Sequence, residues 1–304
     1  MNLFLFAATV LIWGSTWLAI ALELGPVPVL VSVFYRFALA ALILWPLLLL
    51  SGRMANTRPR DHLFMGLQGL CLFSLNFLCF YNATAYIPSG LVSVIFSLAT
   101  IYNAVNARLF FGERITARAV LATAVGVAGL VLIFWHDLFG GALNLDALKG
   151  VGLAALGTLF FSLGNMVSRK LSSTGVPPLT ANAWGMGYGA LFLIALIGLS
   201  GVPLVAPPSA SYVGALLYLA LFGSVVGFTT YLMLVARIGS GRAAYATVMF
   251  PVIALLLSWA FEGYHWQWQT VLGVGLTLLG NAIMFARAPF RVPRPAAPEG
   301  RAAH

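Results

Sequence analysis

The chain has 304 residues, of which 61% are hydrophobic and only 8% are charged. A soluble domain carries about 25% charged residues, so this composition excludes a water-soluble domain that needs a polar shell. The net charge of +9 is scattered through short connectors instead of forming a basic run or helix face, which argues against a nucleic-acid partner.

Ten apolar stretches follow one another along the chain, each near the ~20 residues that a helix needs to cross a bilayer. The predicted spans are 2–22, 27–50, 63–86, 88–110, 116–135, 148–169, 179–200, 211–235, 240–261 and 267–287. The first span is expected to be retained and not to act as a cleaved signal, because no Lys or Arg precedes it. The sequence therefore predicts an all-α membrane protein with ten transmembrane helices.

The basic residues are distributed unequally between the two sides of these spans. With ten spans both termini share a side, and 14 Lys and Arg residues belong to it, against Lys149 alone on the other. The 14 are Arg53, Arg58, Arg60, Arg108, Arg114, Arg118, Arg169, Lys170, Arg237, Arg242, Arg287, Arg291, Arg294 and Arg301. Both termini are therefore predicted to be cytoplasmic. Residues 288–304, rich in proline and arginine, are predicted to form a disordered cytoplasmic tail.

The two halves of the chain match at a nearly constant offset of 149 to 151 residues. The matching pairs include Pro28 with Pro177, Ser74 with Ser224, Tyr81 with Tyr231, Gly112 with Gly263 and Ser89-Gly90 with Ser240-Gly241. We therefore expect two repeats, residues 1–136 and 148–287, with five spans each. Five is odd, so the second repeat enters the membrane from the opposite side. Such inverted repeats recur in secondary transporters, which bind solute near the membrane midplane between them.

Three short motifs carry a family resemblance: Trp13-Gly14-Ser15-Thr16 in the first span, Arg36 in the second, and Phe111-Gly112-Glu113-Arg114 after the fourth. With two five-helix halves, they resemble the EamA-type members of the drug/metabolite transporter superfamily over residues 2–287. The resemblance implies a bacterial inner-membrane carrier, often an exporter of amino acids or other metabolites. Within that group the chain is similar to the aromatic amino-acid exporters.

Polar side chains recur at helical spacing on the fourth span, and a polar stripe in lipid should face the protein interior or a water-filled path. We expect the first, third, fourth, sixth, eighth and ninth spans to line this path. The predicted path residues are Trp13, Trp17, Ser74, Tyr81, Ser93, Ser97, Thr100, Ser162, Asn165, Ser224, Tyr231 and Thr247. Pro251, the repeat partner of Thr100, frees a backbone carbonyl and is the predicted hinge.

These polar residues have an alternative role, because small polar side chains in membrane helices often hold helices together without touching solute. Likewise, Trp13 and Trp17 either fill the core or form an aromatic wall for an apolar or aromatic solute. The fifth and tenth spans are expected to lie at the periphery, where glycines allow close helix contact. These glycines are Gly126, Gly129, Gly273, Gly275 and Gly280.

Arg36 is the one basic residue well inside a predicted span, where an unpaired charge is costly. It either anchors the carboxylate of an amino-acid-like solute through paired hydrogen bonds or satisfies carbonyls of neighbouring helices. The family pattern carries arginine here across differing solutes, which favours the structural role. Gly185 occupies the equivalent position of the second half, so this role is not duplicated.

Every acidic residue and every histidine lies at a helix end, in a connector or in the tail. Proton-coupled carriers usually place a titratable group within the membrane. The sequence therefore predicts a facilitator without strong proton coupling, with a proton-coupled drug or metabolite carrier as the alternative.

Other classes of function lack support in the sequence. No paired carboxylates, Ser/His arrangement or HExxH stands at membrane depth for an integral-membrane enzyme. A structural subunit has no use for two exchangeable halves. Cys71 and Cys79 form no CxxC, and no metal or cofactor is expected. The expected partners are a small-molecule solute and the lipid bilayer, with a monomer sufficient for the path.

Overall fold

The computed structural model of the chain describes residues 2–136, 144–238 and 245–285. These ranges form ten main helices and contain no strand. They are α1 (Asn2–Leu22), α2 (Val29–Leu50), α3 (Pro59–Ala83), α4 (Ser89–Phe111), α5 (Ala117–Ile133), α6 (Leu145–Ser173), α7 (Pro178–Ser200), α8 (Ala210–Tyr218, Leu219–Val226 and Gly227–Ile238), α9 (Tyr245–Phe261) and α10 (Trp268–Phe285). The all-α prediction is confirmed for the described ranges, while the predicted tail, 288–304, lies outside them.

Seven of these helices, α1 to α4 and α6 to α8, are long and apolar enough to cross a membrane. The other three, α5, α9 and α10, are apolar but shorter, so ten spans remain a prediction. Many large apolar side chains point away from the protein, among them Leu3 (79% exposed), Leu50 (90%) and Leu199 (87%). Such exposure is costly in water and is expected for a surface that faces lipid.

Several helices extend beyond the predicted spans because polar caps carry them past the apolar stretch. α3 begins at Pro59 and not at residue 63, since proline suits a first helical turn and the Arg58 N–H donates to Asp61 Oδ2 at 2.9 Å. α6 begins at Leu145 and not at 148, where Asn144 Oδ1 accepts from the Ala147 N–H at 3.1 Å.

α5 and α10 pack mainly against each other at the edge of the bundle, through glycines. A Cβ atom on Gly129 would lie 2.5 Å from the Gly273 carbonyl oxygen, and one on Gly280 would lie 2.7 Å from that of Ala122. The two backbones therefore touch as expected for small residues at a helix interface. Gly275 differs from the prediction, because a Cβ there would meet nothing within 4 Å.

The remaining helices form a layered bundle whose contacts follow a regular scheme. α1 packs against α8 and α9, and α6 packs against α3 and α4. α2 packs against α7 and α8, and α7 packs against α2 and α3. α4 packs against α9. Exchanging each helix with the one five places along the chain reproduces these principal contacts.

Local backbone features also recur after about 150 residues. α3 contains a π-helical segment at Cys71–Leu75, and α8 contains one at Leu219–Val226. In each, a serine hydroxyl donates to the carbonyl five residues earlier at 3.0 Å: Ser74 to Gly69, and Ser224 to Leu219. The positive-φ glycines of the described ranges form three pairs with the same spacing: Gly25 with Gly175, Gly52 with Gly201, and Gly112 with Gly263.

α4 is interrupted at Leu98, where ψ is 1° and the helix restarts at Ala99. The first half, Ser89–Ser97, packs against both α9 and α6, whereas the second half, Ala99–Phe111, packs against α6. The break therefore separates a closed end of the bundle from an end where α4 and α9 diverge. It falls two residues before Thr100, the repeat partner of Pro251.

Candidate solute path

An aromatic cavity of about 70 Å³ lies at the centre of the bundle between α1, α2, α3, α4, α6, α8 and α9. Its wall is almost entirely apolar, with one guanidinium, one side-chain amide and the hydroxyl group of Thr16. The lining residues are Trp13, Thr16, Trp17, Ile20, Arg36, Leu72, Asn76, Phe77, Phe80, Phe96, Phe161, Gly223, Phe228 and Phe250. We call this space the inner cavity.

Phe96 is the centre of the aromatic wall. Its ring centroid lies 4.6 Å from that of Phe161, 5.3 Å from Phe80, 5.5 Å from Trp17 and 5.7 Å from Phe250. These rings come from five different helices, so the wall exists only when the bundle is assembled. Offset and edge-to-face pairs of this kind stabilise ring packing and present apolar faces to the cavity.

Arg36, on α2, places its charge in this apolar wall while only 2% of the residue is exposed. Its Cζ lies 4.3 Å from the ring centroid of Phe77, and its Nε donates to Ser224 Oγ at 3.4 Å. Its Nη1 has no hydrogen-bond partner. Cation–π contact compensates part of the desolvation, but a guanidinium with an unused donor group is still expected to seek an acceptor.

Asn76, on α3, is the second polar group of the inner cavity, and sequence reasoning missed it. The residue is fully buried, and neither its Oδ1 nor its Nδ2 has a hydrogen-bond partner. A buried amide without partners costs roughly 1–3 kcal/mol, so such groups are uncommon without a function. An asparagine within an apolar span is the signal that could have identified it.

A wider space of about 680 Å³, which we call the vestibule, continues from the inner cavity toward the helix ends that share a side with the N-terminus. Trp13, Leu72, Phe96, Phe161 and Phe228 line both spaces and separate them. Ligand sites usually have volumes of roughly 300–1,000 Å³. The volume of the vestibule lies within this range, whereas that of the inner cavity lies below it. A solute of amino-acid size can therefore enter the vestibule, and it reaches Arg36 only if these separating residues move.

Polar side chains predicted from the sequence do line the vestibule. Thr100 Oγ1 donates to Asn281 Oδ1 at 2.8 Å, and Asn281 Nδ2 donates to Ser97 Oγ at 3.1 Å. Asn165 Nδ2 donates to Asn103 Oδ1 at 3.3 Å. Tyr231 also lines the vestibule, with its ring centroid 5.1 Å from that of Trp13. α10 contributes Met284 to the vestibule and nothing to the inner cavity, and α5 lines neither.

Other predicted path residues hold helices together outside the walls of both spaces. Ser74 Oγ bonds the Gly189 carbonyl of α7 at 3.2 Å, and Ser162 Oγ accepts from Asn106 Nδ2 at 2.8 Å. Ser93 Oγ donates to the Gly90 carbonyl of its own helix at 2.6 Å. The Ser74 and Ser162 contacts correspond to the helix-joining role that the sequence left open, whereas Ser93 bonds only within its own helix.

Two further predictions concern α9. Pro251 is buried within this helix, which continues through it, and its neighbour Phe250 lines the inner cavity. The predicted hinge at Pro251 therefore remains a prediction. Thr247 belongs to α9, but its side chain lies outside what the structure describes.

The far end of the path, opposite the vestibule, is closed by two groups of polar contacts. Between α4 and α9, Glu262 accepts hydrogen bonds from the hydroxyl groups of Ser89 and Ser258, and the Gly90 N–H donates to Ser258 Oγ at 2.8 Å. Between α1 and α3, the Tyr81 hydroxyl donates to Glu23 Oε2 at 2.7 Å.

Glu23, directly after α1, is only 1% exposed. Burial raises its pKa to about 7, against the opposing effects of the Tyr81 hydrogen bond and the Arg36 charge. Glu23 does lie at a helix end, as the sequence indicated. This position does not leave the carboxyl group exposed, because the chain folds α2, α3 and α8 around this end of α1.

Within the described ranges, no group of three or more His, Cys, Asp or Glu side chains could hold a metal ion. The path offers aromatic faces, the guanidinium groups of Arg36 and Arg169, the carboxylate of Glu113 and several amide and hydroxyl groups. Such a site can bind a small solute, but it holds no positioned nucleophile with a base.

Apolar helices around a central cavity, with a vestibule on one side of it, define a polytopic membrane transporter. The chain belongs to the EamA-like transporter family, whose model matches residues 1–135 and 148–286. This membership confirms the resemblance drawn from the three short motifs and the two halves.

The chain is similar to several transporters. It is 28% identical over 258 residues to an "Uncharacterized inner membrane transporter YedA" of Escherichia coli K12, covering 84% of this chain and 81% of that one. It is 25% identical over 265 residues to a "Probable terminal-alkyne amino-acid exporter" of Streptantibioticus cattleyicolor, covering 84% and 83%. A solved crystal structure with 19% identity matches with a TM-score of 0.66 over 93% of this chain and 95% of the other, which shows a shared fold.

Proposed function

We propose that this protein is an alternating-access exporter of amino acids with apolar or aromatic side chains. The observation that carries the proposal is a buried arginine with an unpartnered Nη1 in the wall of an aromatic cavity. Arg36 would bind the solute carboxylate, and the rings around Phe96 would receive the apolar side chain. The similarity to a probable amino-acid exporter supports this class of solute.

The anchoring role of Arg36 is preferred to the structural role that the family pattern favoured. A structural arginine would be expected to use its donors on carbonyls or carboxylates of neighbouring helices. Arg36 instead makes a long bond to Ser224, lies close to the Tyr81 hydroxyl group and leaves Nη1 without an acceptor. Asn76, with both amide atoms unused, supplies a second polar contact for the carboxylate or ammonium group of the solute.

Alternating access is supported by the exchangeable halves. The helix contacts, the two π-helical segments and the three glycine pairs all recur with a shift of five helices, or about 150 residues. We infer that residues 1–136 and 148–287 are inverted repeats that exchange their shapes during transport, with ten spans in total. A single chain contains the complete path, so a monomer is sufficient.

The described conformation would face the cytoplasm. Its vestibule opens at the helix ends that carry most basic residues, including Arg169, and the opposite end is closed. Both termini would then be cytoplasmic, in a bacterial inner membrane. The alternative within transport is a drug or other metabolite carrier, which the apolar wall would also suit.

The proposal is tested by removing the Arg36 charge and comparing solutes with and without a carboxylate. We expect Arg36→Gln to bind phenylalanine about 10–100-fold more weakly, as for loss of a charge-assisted hydrogen bond. Phenylethylamine, which lacks the carboxylate, should bind the variant no more weakly than the wild type. Binding can be followed by the fluorescence of Trp13 and Trp17, which line the cavity.

Arg53→Gln, at an exposed position after α2, is the control and should leave both affinities unchanged. Equal losses for both solutes, accompanied by a lower melting temperature, would assign Arg36 a structural role. Efflux of cationic dyes but not of amino acids from cells that overproduce the protein would favour the drug carrier.

A further inference from the structure

The buried carboxyl group of Glu23 bonds Tyr81 at the closed end of the path, but it has no role in the solute binding proposed above. Ile20, one turn before it on α1, lines the inner cavity, and Glu23 follows toward the closed end. One oxygen of its carboxyl group, Oε2, accepts the Tyr81 hydrogen bond, whereas Oε1 is buried with no partner. An ionised carboxylate is unfavourable at this position. Burial removes water from the anionic oxygen Oε1, and no hydrogen-bond donor replaces that water.

The groups around Glu23 come from three helices. Arg36 of α2, Tyr81 of α3 and Tyr212 of α8 all interact electrostatically with it. Arg36 and Glu23 form no ion pair. The Tyr212 hydroxyl is hydrogen-bonded to Ser32 Oγ at 2.7 Å. α4 and α9 also pack against α1, and the carboxyl group at their closed end, Glu262, is already bonded to serines.

This environment distinguishes Glu23 from two other described carboxyl groups near the same end of the bundle, those of Glu262 and Asp146. Glu262 has hydroxyl and backbone donors, and Asp146 is exposed and paired with Lys149 at 3.0 Å. Glu23 alone among these three combines complete burial with an unpartnered oxygen. Neutralising it by a proton removes the cost of burial, and hydrating it by opening the closed end does the same.

We propose that Glu23 is a proton-binding site whose protonation stabilises closure of the end opposite the vestibule, so that the carrier exchanges protons for its solute. The inference rests on the alternating-access function proposed above, and it replaces the facilitator mechanism predicted from the sequence. After solute leaves on the far side, Glu23 is hydrated and takes a proton from that aqueous phase. The far end then closes over the neutral acid, and the proton leaves through the vestibule to the opposite phase.

The sign of the pH dependence follows from burial. Closure raises the pKa of Glu23 from 4.5 to about 7, so the closed conformation binds more protons than the hydrated one. Lower pH therefore favours closure of the far end, and rising pH through about 7 favours its opening. The solute would move outward with Glu23 ionised, and the empty carrier would return with Glu23 neutral.

The first experiment uses proteoliposomes with equal concentrations of radiolabelled phenylalanine on both sides. An acidic exterior should drive net export in the wild type. Glu23→Gln should lose the response to the gradient, because it cannot exchange a proton, and any phenylalanine counterflow that it retains should not depend on pH. Asp146→Asn, the control at the same end, should respond like the wild type, and Glu23→Asp should keep a response because it keeps a carboxyl group.

Net export that is driven by the gradient in Glu23→Gln would overturn the proposal, as would a wild type with counterflow but no response. Absence of counterflow in the wild type would instead contradict the proposed amino-acid export.

A second measurement tests Glu23 without any solute. Ser93→Cys, placed at the closed end in a chain with Cys71 and Cys79 replaced by alanine, reports opening through its reaction with a maleimide.

The labelling rate is divided by the rate in the Glu23→Gln background, which removes the thiol's own pH dependence. From about pH 6 to about pH 8 this ratio should rise about tenfold, as the closed conformation loses its proton. A ratio that does not change with pH would overturn the proposal even if the solute were not phenylalanine.

Discussion

Asn76 is a neutral amide among aromatic rings, and neither of its amide atoms has a hydrogen-bond partner. A substitution there can therefore distinguish a role in solute binding from a role in stability. We expect Asn76→Leu to leave the melting temperature unchanged or to raise it, because replacing an unsatisfied buried group by an apolar one of similar shape is neutral or favourable. Phenylalanine affinity should fall by roughly tenfold, since one hydrogen bond to a charged group is lost. Thermal unfolding in detergent and fluorescence titration provide the two measurements.

A matched comparison is available in Ser74, whose hydroxyl bonds carbonyl groups of two helices and lies outside the cavity walls. Ser74→Ala should lower the melting temperature and keep the affinity, the opposite pattern to Asn76→Leu. If Asn76→Leu instead destabilised the protein without changing affinity, the amide would be a packing residue.

At the level of helices, the contact between α5 and α10 depends on the absence of side chains. A Cβ on Gly129 would lie 2.5 Å from a backbone oxygen of α10, so Gly129→Ala should destabilise the protein by about 1–3 kcal/mol through overpacking. Solute affinity should be unchanged, because neither helix lines the inner cavity. Melting temperature and fluorescence titration measure the two effects separately.

Gly275→Ala is the control on the same pair of helices, since a Cβ there has open space around it. It should leave stability unchanged or increase it by up to about 1 kcal/mol, through the higher helix propensity of alanine. Equal destabilisation by both substitutions would show that propensity, and not the close contact, governs this interface.

For the assembled bundle, the open vestibule predicts a sidedness of access. Ala104→Cys, in the wall of the vestibule, should react with a membrane-impermeant maleimide in inverted vesicles and not in intact cells, with Cys71 and Cys79 replaced by alanine. Added phenylalanine should slow the reaction. Labelling of intact cells alone would contradict the proposed orientation of the termini.

Much of this architecture could be predicted from the sequence because it depends on local composition. The helices follow from apolar runs of bilayer length, and their repeat follows from matched pairs such as Gly112 with Gly263. Trp13, Trp17 and Arg36 could be selected because large aromatic rings and a charge are unusual inside a span. The phenylalanines of the wall could not, since Phe96 and Phe161 differ from lipid-facing phenylalanines only in what packs around them.

Helix positions, the membrane class and the family resemblance thus follow from the order of residues, since transfer from water to lipid depends on each segment's own composition. The tertiary structure was needed to distinguish the serines that join helices from the hydroxyl and amide groups that line the vestibule. It was also needed to show that Glu23 is buried, although the sequence places this residue at a helix end. Burial and partner choice arise from segments far apart in the chain, as when Tyr81 and Arg36 meet around Glu23.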